Sequence, residues 1–169
     1  VALLADDFPD LAATASQAAY APCLTVMLGL ADDEHLPKMP VKAPRHDIGW
    51  AICETARPTA ARHRPALTVQ AGPEWSAPHK DDKPDSIIKQ LIEKYQLATR
   101  CQIGTVLHAH EHRWLYAKVT TPSPADAIIC QKNMAIAGDW LGGARIEHAF
   151  ASGRRAFLAL NQKDAQSPI

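Results

Sequence analysis

The chain has 169 residues, 47% of them apolar and 21% charged, with no net charge at neutral pH. That composition supports a packed core for one domain or slightly more. The lack of a basic excess argues against nucleic acid or an anionic membrane surface as partner. No apolar run approaches the ~20 residues of a membrane-spanning helix. No signal peptide is visible, but the sequence starts at Val1 rather than Met, so the visible start need not be the native one.

In chain order, Val1 to Leu4 reads as the end of a strand or helix. Pro9 and Asp10 open a helix that runs to about Tyr20, with the acid at its positive end. The run from Leu24 to Leu30 is apolar on both faces and rich in strand formers, which predicts a central strand. Asp32 to Asp47 carries prolines and charges and reads as a surface excursion or wide hairpin. Ile48–Cys53 alternates large and small residues and predicts a strand. Glu54 to Pro65 is a basic loop with Arg57, Arg62, His63 and Arg64, read as a solvated turn. Ala66–Ala71 predicts another strand, ended by Gly72-Pro73.

Glu74-Trp75-Ser76-Ala77-Pro78-His79 follows. An indole just past a strand end can lie against a flat ligand or cover the edge of the core, and the pattern leaves both open. Pro84-Asp85-Ser86 starts an amphipathic helix with Ile87, Ile88, Leu91, Ile92 and Tyr95 on one face. A strand from Gln102 to Leu107 leads into His108, His110 and His112, which share one face of an extended chain. Such a row raises metal binding, but three ligands on a straight strand span too far to enclose one ion, and no metal site is assigned. Thr120 to Asp126 marks a crossing, where the domain boundary is placed: residues 1–122 form one domain and 123–169 the next. Ala127 to Gln131 reads as a hairpin strand and Lys132-Asn133 as its turn. The residues after Asn161 read as a polar tail.

The four cysteines, Cys23, Cys53, Cys101 and Cys130, are widely spaced with no CxxC pair. That argues against a zinc knuckle and for a reducing, cytoplasmic setting.

The rest of the chain is read around Met134 to Phe157. A short apolar strand, Met134–Ala137, is followed by Gly138-Asp139-Trp140, then by Gly142-Gly143. A helix follows, with small or apolar residues at Ile146, Ala149, Phe150, Gly153 and Phe157. Strand, acid, glycine loop and helix start suit a ligand with a negative or electron-rich edge, because a helix N-terminus offers unpaired N–H groups and partial positive charge. A plain strand-turn-helix unit fits the same pattern.

The segments GDW and GGARIEHAFASGRRA resemble the C-terminal flavin motif of FAD-dependent amine oxidases, most of all their renalase-like, flavin-containing bacterial branch. The resemblance implies FAD as cofactor, bound through Gly138, Asp139, Trp140, Gly143, Arg145, Ile146 and Ala149. The acid would bond the ribityl and pyrophosphate region, and the glycine loop and helix start would lie against the pyrimidine edge of the ring. The YAPC start of the strand near Cys23, the Trp75-Ser76 pair with His79, and His112-Arg113-Trp114-Leu115-Tyr116-Ala117 resemble segments of the same family's substrate domain. They imply Trp75, Trp114 and Tyr116 as substrate-binding residues and His112 as a weak candidate general base. The donor would be an amine or NAD(P)H.

The family's opening GxGxxG fingerprint occurs nowhere in the sequence. The resemblance therefore implies the C-terminal half of such an enzyme, whose apolar helix face would pack on the missing N-terminal FAD-binding half, on a second copy, or on its own substrate domain. The expected fold class is α+β: a mixed, mainly antiparallel sheet with covering helices, plus a C-terminal strand and helix of a Rossmann-like FAD domain. Two other readings stand beside the oxidoreductase: a non-catalytic module of the same fold, and a metal-dependent hydrolase using the alternating histidines.

Overall fold

The computed structural model describes residues 1–57 and 64–164, with side chains up to residue 161. Pro58, Arg62 and His63 of the expected basic loop lie outside the described residues. The chain is α+β, and it divides into two compact units, Val1–Tyr20 with Lys118–Ile169, and Ala21–Ala117. The first helix, expected to belong with the sheet, instead shares a unit with the C-terminal segment. Hydrogen bonds explain this: the Thr14 hydroxyl donates to the Ile128 carbonyl at 2.8 Å, and the buried Ser123 hydroxyl donates to the Thr14 carbonyl at 2.7 Å.

The sheet contains β1 (Ala19–Leu30), β2 (Val41–Ala43), β3 (Ile48–Cys53), β4 (Ala66–Ala71) and β5 (Val106–Thr121), in the order β2-β3-β4-β1-β5. It is antiparallel. β3 and β4 have the expected bounds, because both alternate inward and outward residues between clear turn signals. β5 differs from expectation. It starts at Val106 rather than Gln102, and it continues through the histidines and Trp114 to Thr121 as one strand. β2 was hidden in the proline-rich excursion, where its three residues carry little periodicity.

Helix α1 (Pro9–Ser16) is shorter than expected. Pro22 lacks an N–H and biases Ala21 to an extended conformation, and the chain is already in β1 at Ala19. Pro22 precedes the β1 residues paired with β4, which begin at Thr25. Its missing donor therefore interrupts no bond of that ladder.

Helix α2 (Pro73–His79) and helix α3 (Pro84–Thr99) belong with this sheet. Leu24, Val26, Leu28 and Leu30 of β1, Ala51 and Cys53 of β3, and Leu67, Val69 and Ala71 of β4 are buried in one cluster with Ile87, Leu91 and Tyr95 of α3 and Trp75 of α2. Each large side chain removed from water contributes roughly 1.5–3 kcal/mol before the entropy of ordering it is counted. Period-two alternation then assigns the opposite side chains of the strands to the other face of the sheet.

The unit made of Val1–Tyr20 and Lys118–Ile169 holds α1, the hairpin β6 (Cys130–Gln131) and β7 (Met134–Ala135), and α4 (Ile146–Asp164). The strand expected over Met134–Ala137 stops at Ala135, because its partner β6 is only as long as the pairs Cys130↔Ala135 and Gln131↔Met134. Among the described residues, no helix is long and apolar enough to cross a membrane.

Candidate functional site

In the unit Ala21–Ala117, the register defines the sheet face turned away from the core. Trp50 pairs with Gln70 and Ile52 with Thr68; Gln70 in turn pairs with Thr25, and Thr68 with Met27. A Cβ placed on Gly29 would lie 3.5 Å from the His108 Cβ, so β5 meets β1 there with both residues on this face. Alternation carries the same face along β5 through His110, His112, Trp114 and Tyr116.

All five of these β5 residues are exposed, Trp114 by 53% and Tyr116 by 81%, and the His112 and Trp114 rings lie 4.4 Å apart and tilted. The result is a row of imidazoles and aromatic rings along one strand, beside a thioether and two half-buried polar side chains. The Thr68 hydroxyl donates to Glu54 at 2.9 Å, and Glu54 also accepts from Arg57. Lys42 sits 5.3 Å from the Trp50 ring centroid, a cation–π contact at the far side of the sheet.

The intervening residues of β5 anchor the strand. Glu111 pairs with Arg113 at 2.8 Å, and Arg113 donates to the Asp82 carbonyl at 2.7 Å, tying β5 to the α2–α3 connection. Trp75 stands elsewhere. Its indole is 6% exposed, belongs to the core cluster, stacks on His79 at 4.2 Å and lies under Lys94. It is the core-covering indole of the two alternatives, and it is not part of the β5 row. Its neighbour Ser76 is fully buried, accepting from the Leu24 N–H at 3.1 Å and donating to the Gly72 carbonyl at 2.8 Å.

Met27, Thr68, Gln70 and Trp50 were not singled out from the sequence. The signal was present: each alternates with a core residue of its own strand. Which strands adjoin β5 is information only the topology supplies.

In the other unit, residues 136–145 form a loop between β7 and α4. Ser152, 1% exposed, closes it: its hydroxyl accepts from the Gly138 N–H at 3.0 Å and shares its one proton between the Gly138 and Ala149 carbonyls at 2.8 and 3.0 Å. Ser123 holds the middle, its N–H donating to the Trp140 carbonyl and its carbonyl accepting from the Gly142 N–H, both at 2.8 Å. Gly142 has φ +78°, a left-handed conformation that favours glycine, and a Cβ there would meet Ala125 at 3.0 Å.

The loop leaves Asp139, Arg145 and Ile146 exposed, with Gly138, Trp140, Gly143 and Ala149 half-buried. Burial first, and the Asp139 carboxylate second, push the Tyr20 phenol above its ordinary value, which puts Tyr20 within electrostatic reach of that acid. Tyr20 was not singled out from the sequence, since it lies far from Asp139 along the chain.

Two glycines make cradles that a Cβ would fill. A Cβ at Gly138 would collide with the Trp140 indole, and one at Gly143 with the His148 imidazole. The His148 Nδ1 is buried without a hydrogen-bond partner. Turning that ring away from Gly143 would break no hydrogen bond at Nδ1. The loop thus presents an exposed acid and a glycine pair ahead of a helix start, with both cradles filled by side chains of the same segment.

Outside the loop, the outer face of α4 carries an exposed apolar stripe beside the exposed Glu147 and Arg154. Ile146, Phe150 and Phe157 are 86%, 76% and 64% exposed, while Ser152 and Ala156 face inward. Among the described residues, no three His, Cys, Asp or Glu side chains form a group able to hold a metal ion. No known protein-family profile matches the chain.

Proposed function

We propose that this chain is the substrate-side part of an FAD-dependent oxidoreductase of the amine-oxidase, renalase-like kind, taking hydride from an amine or NAD(P)H in the cytoplasm. The observation that carries the reading is the Gly138–Ile146 loop. Its sequence resembles a flavin motif, and its exposed Asp139 and Arg145 sit beside a helix start tied down by Ser152. FAD, when bound, supplies the hydride-accepting ring. Asp139 accepts hydrogen bonds from ligand hydroxyls, and the first N–H groups of α4 turn partial positive charge toward the ligand's electron-rich edge. By the same resemblance, Trp114 and Tyr116 would give a donor a flat wall, and His112 beside Trp114 would be the candidate to take a proton from it. The bare α4 stripe is the surface that the N-terminal FAD-binding half, or failing that a second copy, covers.

One observation favours a second reading, a non-catalytic module of the same fold: Trp140 and His148 already fill the two glycine cradles from within the chain. Titration of FAD into the protein, followed by quenching of flavin fluorescence, separates the two. The oxidoreductase reading expects saturable binding, weakened about tenfold by Asp139→Ala, which corresponds to ~1.4 kcal/mol, and strengthened by His148→Ala. Equal, unsaturable signals for all three proteins would leave the module reading standing.

A further inference from the structure

We infer that His108, His110 and Met27 form a binding site for a soft cation, Cu(I). The inference stands on the sheet alone and does not depend on flavin.

Successive same-face residues of a strand are about 7 Å apart. Two imidazoles at that spacing can converge on one ion with bonds of about 2 Å each. Three in a straight row span about 13 Å and cannot. The geometry distinguishes the pair from the third. His112 is engaged with the Trp114 ring at 4.4 Å, whereas His108 stands beside Gly29, where β1 presents no side chain to crowd it. Both His108 and His110 are exposed.

The third ligand comes from the neighbouring strand. In an antiparallel sheet, a step of two residues from the Gly29/His108 neighbours runs back along β1 to Met27 as it runs forward along β5 to His110. Met27 lies on the same face and is 39% exposed, so its flexible thioether side chain is not sealed in the core. A thioether is a poor ligand for Zn(II) and a good one for Cu(I), and imidazole accepts either. Two imidazoles and one thioether, with no carboxylate among them, therefore select Cu(I). This set is compatible with the absence of any three-residue His, Cys, Asp or Glu group, since methionine belongs to none.

The test is an anaerobic competition between the 169-residue chain and a chromophoric Cu(I) chelator, repeated after accessible thiols are alkylated, with Zn(II) titrated in parallel. The expected result is one Cu(I) per chain before and after alkylation. His108→Ala and His110→Ala each weaken it at least about tenfold. Met27→Leu, which keeps the apolar volume, weakens Cu(I) but leaves Zn(II) within about twofold. His46→Ala, a surface histidine outside the row, changes nothing. Circular dichroism checks that each variant is folded. The inference is overturned if the chain takes no Cu(I) from the chelator, if alkylation abolishes binding, or if the His108, His110 and Met27 variants bind as the parent does.

Discussion

Asp33 shows what a single side chain does here. Its carboxylate accepts from the buried Cys53 thiol at 2.8 Å and from the Thr55 hydroxyl, and it pairs with Lys38 at 3.1 Å. These contacts, the thiol first, pull it down to about 2. The same carboxylate, after burial, helps to push the Cys53 thiol up, so Cys53 stays protonated and unreactive. A carboxyl depressed on folding adds stability that is complete above its unfolded value, near 4, and is lost as pH falls toward 2. Asp33→Asn should therefore lower stability at neutral pH by about 1 kcal/mol, after allowance for solvent screening beside exposed Lys38. It should also flatten the stability profile between about pH 4 and 2. Urea unfolding across that range reads both effects, and a variant with the parent's acid slope would remove Asp33 from the account.

Legibility at this scale depended on what each residue's neighbours could reveal. That Trp114 and Tyr116 share one face followed from alternation along one strand, but that this face is exposed did not. Nor did the burial of Trp75. Pro78 within Glu74–His79 argues locally against a helix, yet α2 forms with Pro73 at its start, and its first turn carries the indole into the core. Two readings stayed open because tertiary packing decided between them.

Among elements, the loop before α4 depends on one buried hydroxyl. Removing Ser152 Oγ leaves the Gly138 N–H without this hydrogen-bond acceptor, a change that costs ~1–3 kcal/mol when the group stays buried. Ser152→Ala should lose that much stability in chemical denaturation and speed proteolysis between 138 and 145. A variant as stable and as resistant as the parent would show that the loop is held otherwise. The sequence placed β3 and β4 to the residue, since turn signals bound both. It misplaced the start of β5 and ended the β7 strand too late, because pairing partners set those limits: β7 extends only as far as β6 can pair with it.

For the whole molecule, α+β architecture was legible from the alternation of strand and helix patterns. The placement of α1 was not, because it joins the C-terminal segment through Thr14 and Ser123, residues far apart in sequence. The sequence likewise carried the flavin-like loop but not the open sheet face, which exists only once β1, β3, β4 and β5 lie side by side. The bare stripe of Ile146, Phe150 and Phe157 belongs to this scale too, since an exposed apolar surface of that kind marks a place of association.

The central claim is that the Gly138 loop and the start of α4 receive a flavin dinucleotide. Amide hydrogen exchange of the 169-residue chain, with and without excess FAD, tests it most directly. The account predicts slowed exchange confined to residues 138–149, the glycine loop and first turn of α4. Unchanged exchange in that segment at concentrations of FAD far above any plausible affinity would contradict it.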